Sequence, residues 1–211
     1  MNVIGFNGSA RKDGNTSILI RKVFDALEAE GIGTRLVNLG PQSVGGCLAC
    51  MKCFENQDGH CVQKKDALND YLDEMREADG IILGSPVYFA QISGQIKCFM
   101  DRSGMVARAN GNLFRRKVGA AVVAARRAGA VSAFHALNSY FTIAEMMVVG
   151  SSYWNMGFGL QKGETLQDGE GLQIMDNLGR NMAWLLKSIE ASRDKVREPE
   201  TVINVATSFI R

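Results

Sequence analysis

The 211-residue chain lacks any apolar run approaching the roughly 20 residues needed to span a bilayer. Its opening, MNVIGFNGSARKDGNTS, turns polar after six residues and holds no apolar signal core. The expected compartment is therefore the cytoplasm, with no membrane partner. An excess of either charge is also missing. The 24 Lys and Arg against 22 Asp and Glu leave a formal net charge of +2, too little field to make nucleic acid or an anionic surface the main partner. Several catalytic signatures are absent as well: no G-x-x-x-x-G-K-[ST], no G-x-G-x-x-G, no H-E-x-x-H and no Ser–His–Asp arrangement. A nucleoside triphosphate or a dinucleotide bound in the usual way is not expected.

What remains is an ordinary globular composition, 46% hydrophobic and 22% charged, long enough for one domain with a substantial core. Short β-rich runs alternate with helical ones. NVIGF (2–6) reads as a buried strand, and TSILIRKVFDALEAEG as a helix with Leu19, Val23 and Leu27 on one face and Gly31 as its stop. TRLVNL (34–39) is a second strand and 66–79 a helix. GIILGSPVYF (80–89) is apolar without alternation, as in a parallel sheet covered on both faces. A helix over about 92–105, a strand at 117–125, a helix at 132–147, a strand at 147–152 and a helix at 171–190 complete the order. This alternation predicts a doubly wound α/β sheet with right-handed crossovers. Residues 191–200 are highly charged. They lead into the apolar TVINVATSFIR, which either folds back on its own domain or embraces a neighbouring subunit.

Two segments carry chemistry. GSARKDGNTS (8–17) joins the first strand to the first helix, where helix N–H groups and a positive dipole end make an anion site. Ser9, Arg11, Asn15, Thr16 and Ser17 add donors there, and Gly14 frees the backbone to curl around a phosphate monoester. Capping by Asn15 or Thr16 alone is the plainer alternative. CLACMKCFENQDGHC (47–61) holds four of the five cysteines. Cys47, Cys50 and Cys53 stand two residues apart, with seven residues before Cys61, a spacing similar to ferredoxin ligation of an iron–sulfur cluster. Gly45, Gly46 and Gly59 permit tight turns around them. A zinc site from the same four thiols fits less well, because structural zinc favours paired C-x2-C knuckles. Free thiols are the third alternative. Cys98 reads as a helix residue, and His60 and His135 as surface or packing residues.

GSARKDGNTS, GSPVYFAQISGQIKCFMDR and the cysteine run, in that order, resemble the NADPH-dependent FMN reductase and iron–sulfur flavoprotein group of flavodoxin-like proteins. The resemblance covers residues 1 to about 160, and differs at Ala10, where members typically carry proline. It implies a flavodoxin-like, three-layer doubly wound α/β fold whose parallel five-stranded sheet has the order 2-1-3-4-5. It implies FMN, with its phosphate on Ser9, Arg11, Asn15, Thr16 and Ser17 and its ring against Pro86, Val87, Tyr88 and Phe89. It implies a 4Fe-4S cluster on Cys47, Cys50, Cys53 and Cys61. Arg126 and Arg127, after the fourth strand, would steady a reduced flavin, bind the phosphate of NADPH, or remain solvated. The expected protein is an FMN-dependent oxidoreductase or electron carrier. Residues 1–190 would form its FMN domain, with a cluster loop at 45–62, and 191–211 a linker and arm. It would serve a redox partner protein or a small-molecule acceptor as a homodimer or homotetramer. A cluster-free NADPH-dependent FMN or quinone reductase is the main alternative, and a zinc-bearing module without turnover is another. No side chain is assigned a catalytic role, since the cofactors carry the chemistry.

Overall fold

Each early element forms where its pattern requires. β1 (Asn2–Asn7) is buried over five of its six residues. α1 (Asn15–Ala29) buries Leu19, Ile20, Val23, Phe24 and Leu27, the stripe that the spacing predicts. β2 (Gly33–Asn38) follows Gly31, whose φ of +78° turns the chain. The structure is a computed structural model that describes residues 1–40, 44–202, 205 and 207. A long excursion after β2 contains the short α2 (Lys52–Asn56) and ends at α3 (Leu68–Glu77), which buries Leu68, Leu72 and Met75. β3 (Gly80–Tyr88) turns back through β4 (Gln91–Ile92) into α4 (Gly94–Ala109), capped by the Ser93 side chain. β5 (Val118–Ala125) is buried throughout, and α5 (Ala130–Ile143) follows it. β6 (Met147–Val148), β7 (Met156–Phe158), a 3-10 turn at Glu164–Gln167 and α6 (Gly169–Ser192) close the chain.

The parallel sheet runs β2-β1-β3-β5-β6, with β4 antiparallel to β3 and β7 parallel to β5. Setting the small β4 aside, this is the expected 2-1-3-4-5 flavodoxin-like order. Neighbouring residues of β3 and β5 feed opposite faces. Ile81, Leu83, Ala121 and Val123 pack with α3, α4 and α5, while Ile82, Ala120 and Val122 pack with α1 and α6. Burial on both faces explains why these strands carry no polar alternation.

The fifth strand departs from the expected 147–152. Only Met147 and Val148 pair with the start of β5, and β7 takes over beside its end. Between them the chain leaves the sheet, with the Ser151 hydroxyl donating to Tyr153 O and Asn155 Oδ1. A hydroxyl that bonds nearby backbone competes with the ladder. Over its described residues the C-terminal segment folds back on its own chain: Arg115 donates to Thr201 Oγ1 at 3.0 Å, and Thr201 donates to Glu145. The β-rich reading of TVINVATSFIR falls mainly on Ile203, Asn204, Ala206 and Ser208–Arg211, outside the described residues.

Candidate functional site

The loops at the carboxyl ends of the strands meet around the start of α1. Asn7 is fully buried; its side-chain Nδ2 donates to Asn38 Oδ1 at 2.9 Å, and its Oδ1 accepts from Ser9 N–H at 3.0 Å. Ser9 Oγ accepts from Arg11 N–H at 3.1 Å, curling the chain back on itself. A Cβ on Gly40 would stand 2.7 Å from Ala10 Cα, so the loop after β2 can press against this curl only as glycine. No side chain caps α1, no acidic residue lies in its first turn, and Gly14 is its N-cap. The N–H groups of Asn15, Thr16 and Ser17 therefore face outward without intrahelical partners, the condition for an anion site.

Among the expected phosphate residues, Ser9, Thr16 and Ser17 are buried and Arg11 is exposed. Ser17 Oγ is already donating to Gly14 O at 2.8 Å. Asn15 contributes differently from expectation, because its side chain is consumed by the 159–165 loop. Its amide donates to Gly159 O and Gln161 O, and its oxygen accepts from Gly163 N–H and Thr165 Oγ1. Only its backbone N–H is left for an anion.

The second loop is a hairpin. Val87 pairs with Ile92 and Tyr88 with Gln91, leaving Phe89 and Ala90 as the two turn residues, at φ +47° and +63°. Two positive φ values make a type I′ turn, usually Asn-Gly, and each non-glycine residue there costs roughly 1–2 kcal/mol. Pro86 and Val87 are half-buried, Tyr88 is 42% exposed and Phe89 fully exposed at 106%, so neither aromatic is a core residue. Gly129, at φ +90°, lies against this hairpin; a Cβ there would meet Ala90 Cα at 2.7 Å. It also ends the loop that holds Arg126 and Arg127, both exposed. Arg11, Arg126 and Arg127 form no ion pair among the described residues. These loops make an open, cationic shelf.

The cysteine run sits elsewhere, against the side of α4. Cys47, Cys50, Cys53 and Cys61 all line one small cavity of about 20 Å³, closed by Arg102, Met105 and Val106 of α4. Cys47 and Cys50 are exposed, Cys53 and Cys61 half-buried, and Cys98 does not line it. Burial pushes the Cys53 thiol above its ordinary value. The tight turns come from unexpected residues. Ala49 and Met51, on either side of Cys50, hold φ of +49° and +57°, and Gln57 and Gly59 are also left-handed, whereas Gly45 and Gly46 are not. Backbone strain of this kind gathers at functional sites. Among the described residues no three His, Cys, Asp or Glu side chains converge on a single metal ion. The four thiols line one cavity without converging on a single point.

Arg102 is the feature that the sequence reading missed. Its side chain is 0% exposed, donating to Asp66 Oδ2 at 2.5 Å, Gly45 O at 3.3 Å, Gln63 O at 3.1 Å and Cys61 Sγ at 3.4 Å. A signal existed, because Arg102 falls between Phe99 and Val106 on the buried stripe of α4. Burial opposes ionisation of Asp66, but hydrogen bonds from Arg102 and Gly45 N–H hold its carboxyl below the ordinary value.

A profile of the NADPH-dependent FMN reductase family matches residues 1–161. The chain belongs to that family. An iron–sulfur flavoprotein of Methanocaldococcus jannaschii is 39% identical over 197 residues, covering 90% of this chain and all of that protein. One from Methanosarcina thermophila is 32% identical over 197 residues, covering 92% and 100%. Among solved structures, RosB with a bound flavin intermediate superposes with a TM-score of 0.69 at 18% identity, covering 100% of this chain and 94% of RosB. An archaeal flavodoxin superposes with a TM-score of 0.58 at 19% identity, covering 89% and 99%. At those identities the structures speak for the fold alone. This FMN reductase family member is thus a flavin-dependent oxidoreductase of flavodoxin-like fold, and its uncapped α1 start, glycine-tight loops and Arg11 fit a phosphate-bearing flavin. No helix among its described residues is long and apolar enough to cross a membrane.

Proposed function

We propose that this chain is a cytoplasmic electron carrier of the iron–sulfur flavoprotein kind, holding FMN on the shelf and a 4Fe-4S cluster on Cys47, Cys50, Cys53 and Cys61. The observation that carries the reading is the gathering of these four cysteines, strained around Cys50, on one cavity walled by a buried cation. The names of the two curated relatives agree with it. When bound, FMN supplies one- or two-electron transfer and the cluster single-electron transfer. The chain's own residues supply position and charge. Arg11, Ser9 and the N–H groups of Asn15, Thr16 and Ser17 would bind the phosphate, and Pro86, Val87, Tyr88 and Phe89 would border the ring. Residues 1–190 would be the FMN domain and 191–211 a linker and arm. Exposed Phe89, Tyr153 and Trp154 favour a homodimer or homotetramer, in which such apolar surface is covered.

A second reading, a cluster-free NADPH-dependent FMN or quinone reductase, draws on the exposed Arg126 and Arg127, which would take a phosphate of NADPH. Visible spectra of anaerobically purified protein separate the two. The carrier reading expects flavin bands over broad cluster absorption, and flavin bands alone favour the reductase. A colourless zinc protein overturns both.

A further inference from the structure

We infer that Arg102 is a positioning residue for the cysteine site, setting its charge and therefore the reduction potential of a cluster held there. This inference rests on the cluster reading above. A guanidinium has five N–H donors. Nη1 serves Asp66 and Gly45 O, while Nη2 serves Gln63 O and Cys61 Sγ. Nε is buried and has no partner, in a side chain that lines the cysteine cavity. A buried donor without an acceptor is costly and uncommon in native structures. A cluster sulfur would give it the acceptor it lacks.

A purely structural role explains less of this arrangement. A buried ion pair contributes little net stability, and an apolar pair of similar volume often serves as well. Arg102–Asp66 does more than cross-link α4 to the start of α3. It aims one nitrogen at a thiol and leaves another buried without a partner. The loop is shaped to reach it, since Gly45 and Gln63, just outside Cys47 and Cys61, both accept from Arg102. The guanidinium thus ties together both ends of the cysteine run. One-electron reduction adds one negative charge at the site while the four thiolate ligands stay in place. A fixed positive charge in a region of low dielectric favours the reduced state. Hydrogen bonds to the sulfurs act in the same direction.

The test is a dithionite titration of anaerobically reconstituted protein, monitored by the EPR signal of the reduced cluster. Iron and sulfide content and melting temperature are measured on each variant. Arg102→Gln should load iron but show a more negative potential than the parent chain. Asp66→Asn, which removes the opposing charge and keeps the cation, should show a less negative one. The double variant, free of unpaired buried charge, should fold, and its potential should lie between those of the two single variants. Arg102→Lys should restore part of the loss, since it keeps the charge but not the four-way hydrogen bonding. Equal potentials in the parent and in both the Arg102→Gln and double variants would overturn the inference. A parent chain that takes up no iron would instead overturn the cluster reading itself, and the inference with it.

Discussion

The shelf at the upper end of the sheet is made mostly of backbone, and the cysteine pocket mostly of side chains. At the shelf the donors are helix N–H groups, the close approaches are glycines, and even Asn15 spends its side chain on holding a neighbouring loop. At the pocket the defining groups are four thiols and one guanidinium. They are held by a loop that contains only a five-residue helix and several left-handed residues. Under the function proposed above, the difference would follow from the ligand chemistry. A phosphate is satisfied by N–H groups that any residue can provide, whereas iron needs particular sulfur ligands. The two regions also differ in height. Both border α4, but the pocket touches it at Arg102, Met105 and Val106. That lies roughly 12–18 Å along the helix from Gly94, at 1.5 Å per residue. Damage to one region should therefore spare the other.

The strongest test of that independence is Cys50→Ser. It should abolish cluster absorption and leave one FMN bound, so loss of FMN with an intact cluster would contradict the division. Next in size is Arg102→Ala in the cluster-free protein. Asp66 keeps 17% of its side chain exposed, so losing its partner should cost less than a fully buried pair would, about 1–3 kcal/mol in denaturant unfolding, and no measurable cost would show that the pocket relaxes without its cation. At the shelf, Arg11→Ala should weaken FMN by roughly 10–100-fold, the worth of a charge-assisted hydrogen bond, and leave riboflavin nearly unaffected. Equal losses for both ligands would remove Arg11 from the phosphate. Asn15→Ala should lower stability by about 1–2 kcal/mol through the lost loop ties, with FMN affinity following the disorder of 159–165.

The smallest effect is one of pH. Asp66 is held below its ordinary value, so the stability it contributes is full above that value and is lost as pH falls through the lower folded one. The melting-temperature gap between the parent chain and Asp66→Asn should stay constant from neutrality to about pH 4 and close below it. A gap that closes nearer neutrality would mean that Arg102 does not hold the carboxylate.

The sequence made the sheet and the first loop legible, because buried parallel strands and amphipathic helices leave periodic traces, as Leu19, Val23 and Leu27 do. The split fifth strand was not legible. Met147 to Ser152 has strand-like residues, and only the Ser151 hydrogen bonds reveal that the chain leaves the ladder. The type I′ hairpin was hidden for a similar reason, since Phe-Ala carries none of the Asn-Gly signal such turns usually show. At the cysteine run the spacing was readable, but the cation was not. Arg102 lies 41 residues beyond Cys61, and it meets the thiol only through the packing of α4. A charge on the buried stripe between Phe99 and Val106 was the one trace it left in the sequence.

Iron, acid-labile sulfide and flavin counted together on protein purified without oxygen decide whether the chain carries both a cluster and FMN. About four irons, about four sulfides and about one FMN per chain are expected, with the iron and sulfide lost in Cys50→Ser and the FMN retained. One FMN per chain with no iron in the anaerobic parent, or zinc in place of iron, would contradict the cluster reading.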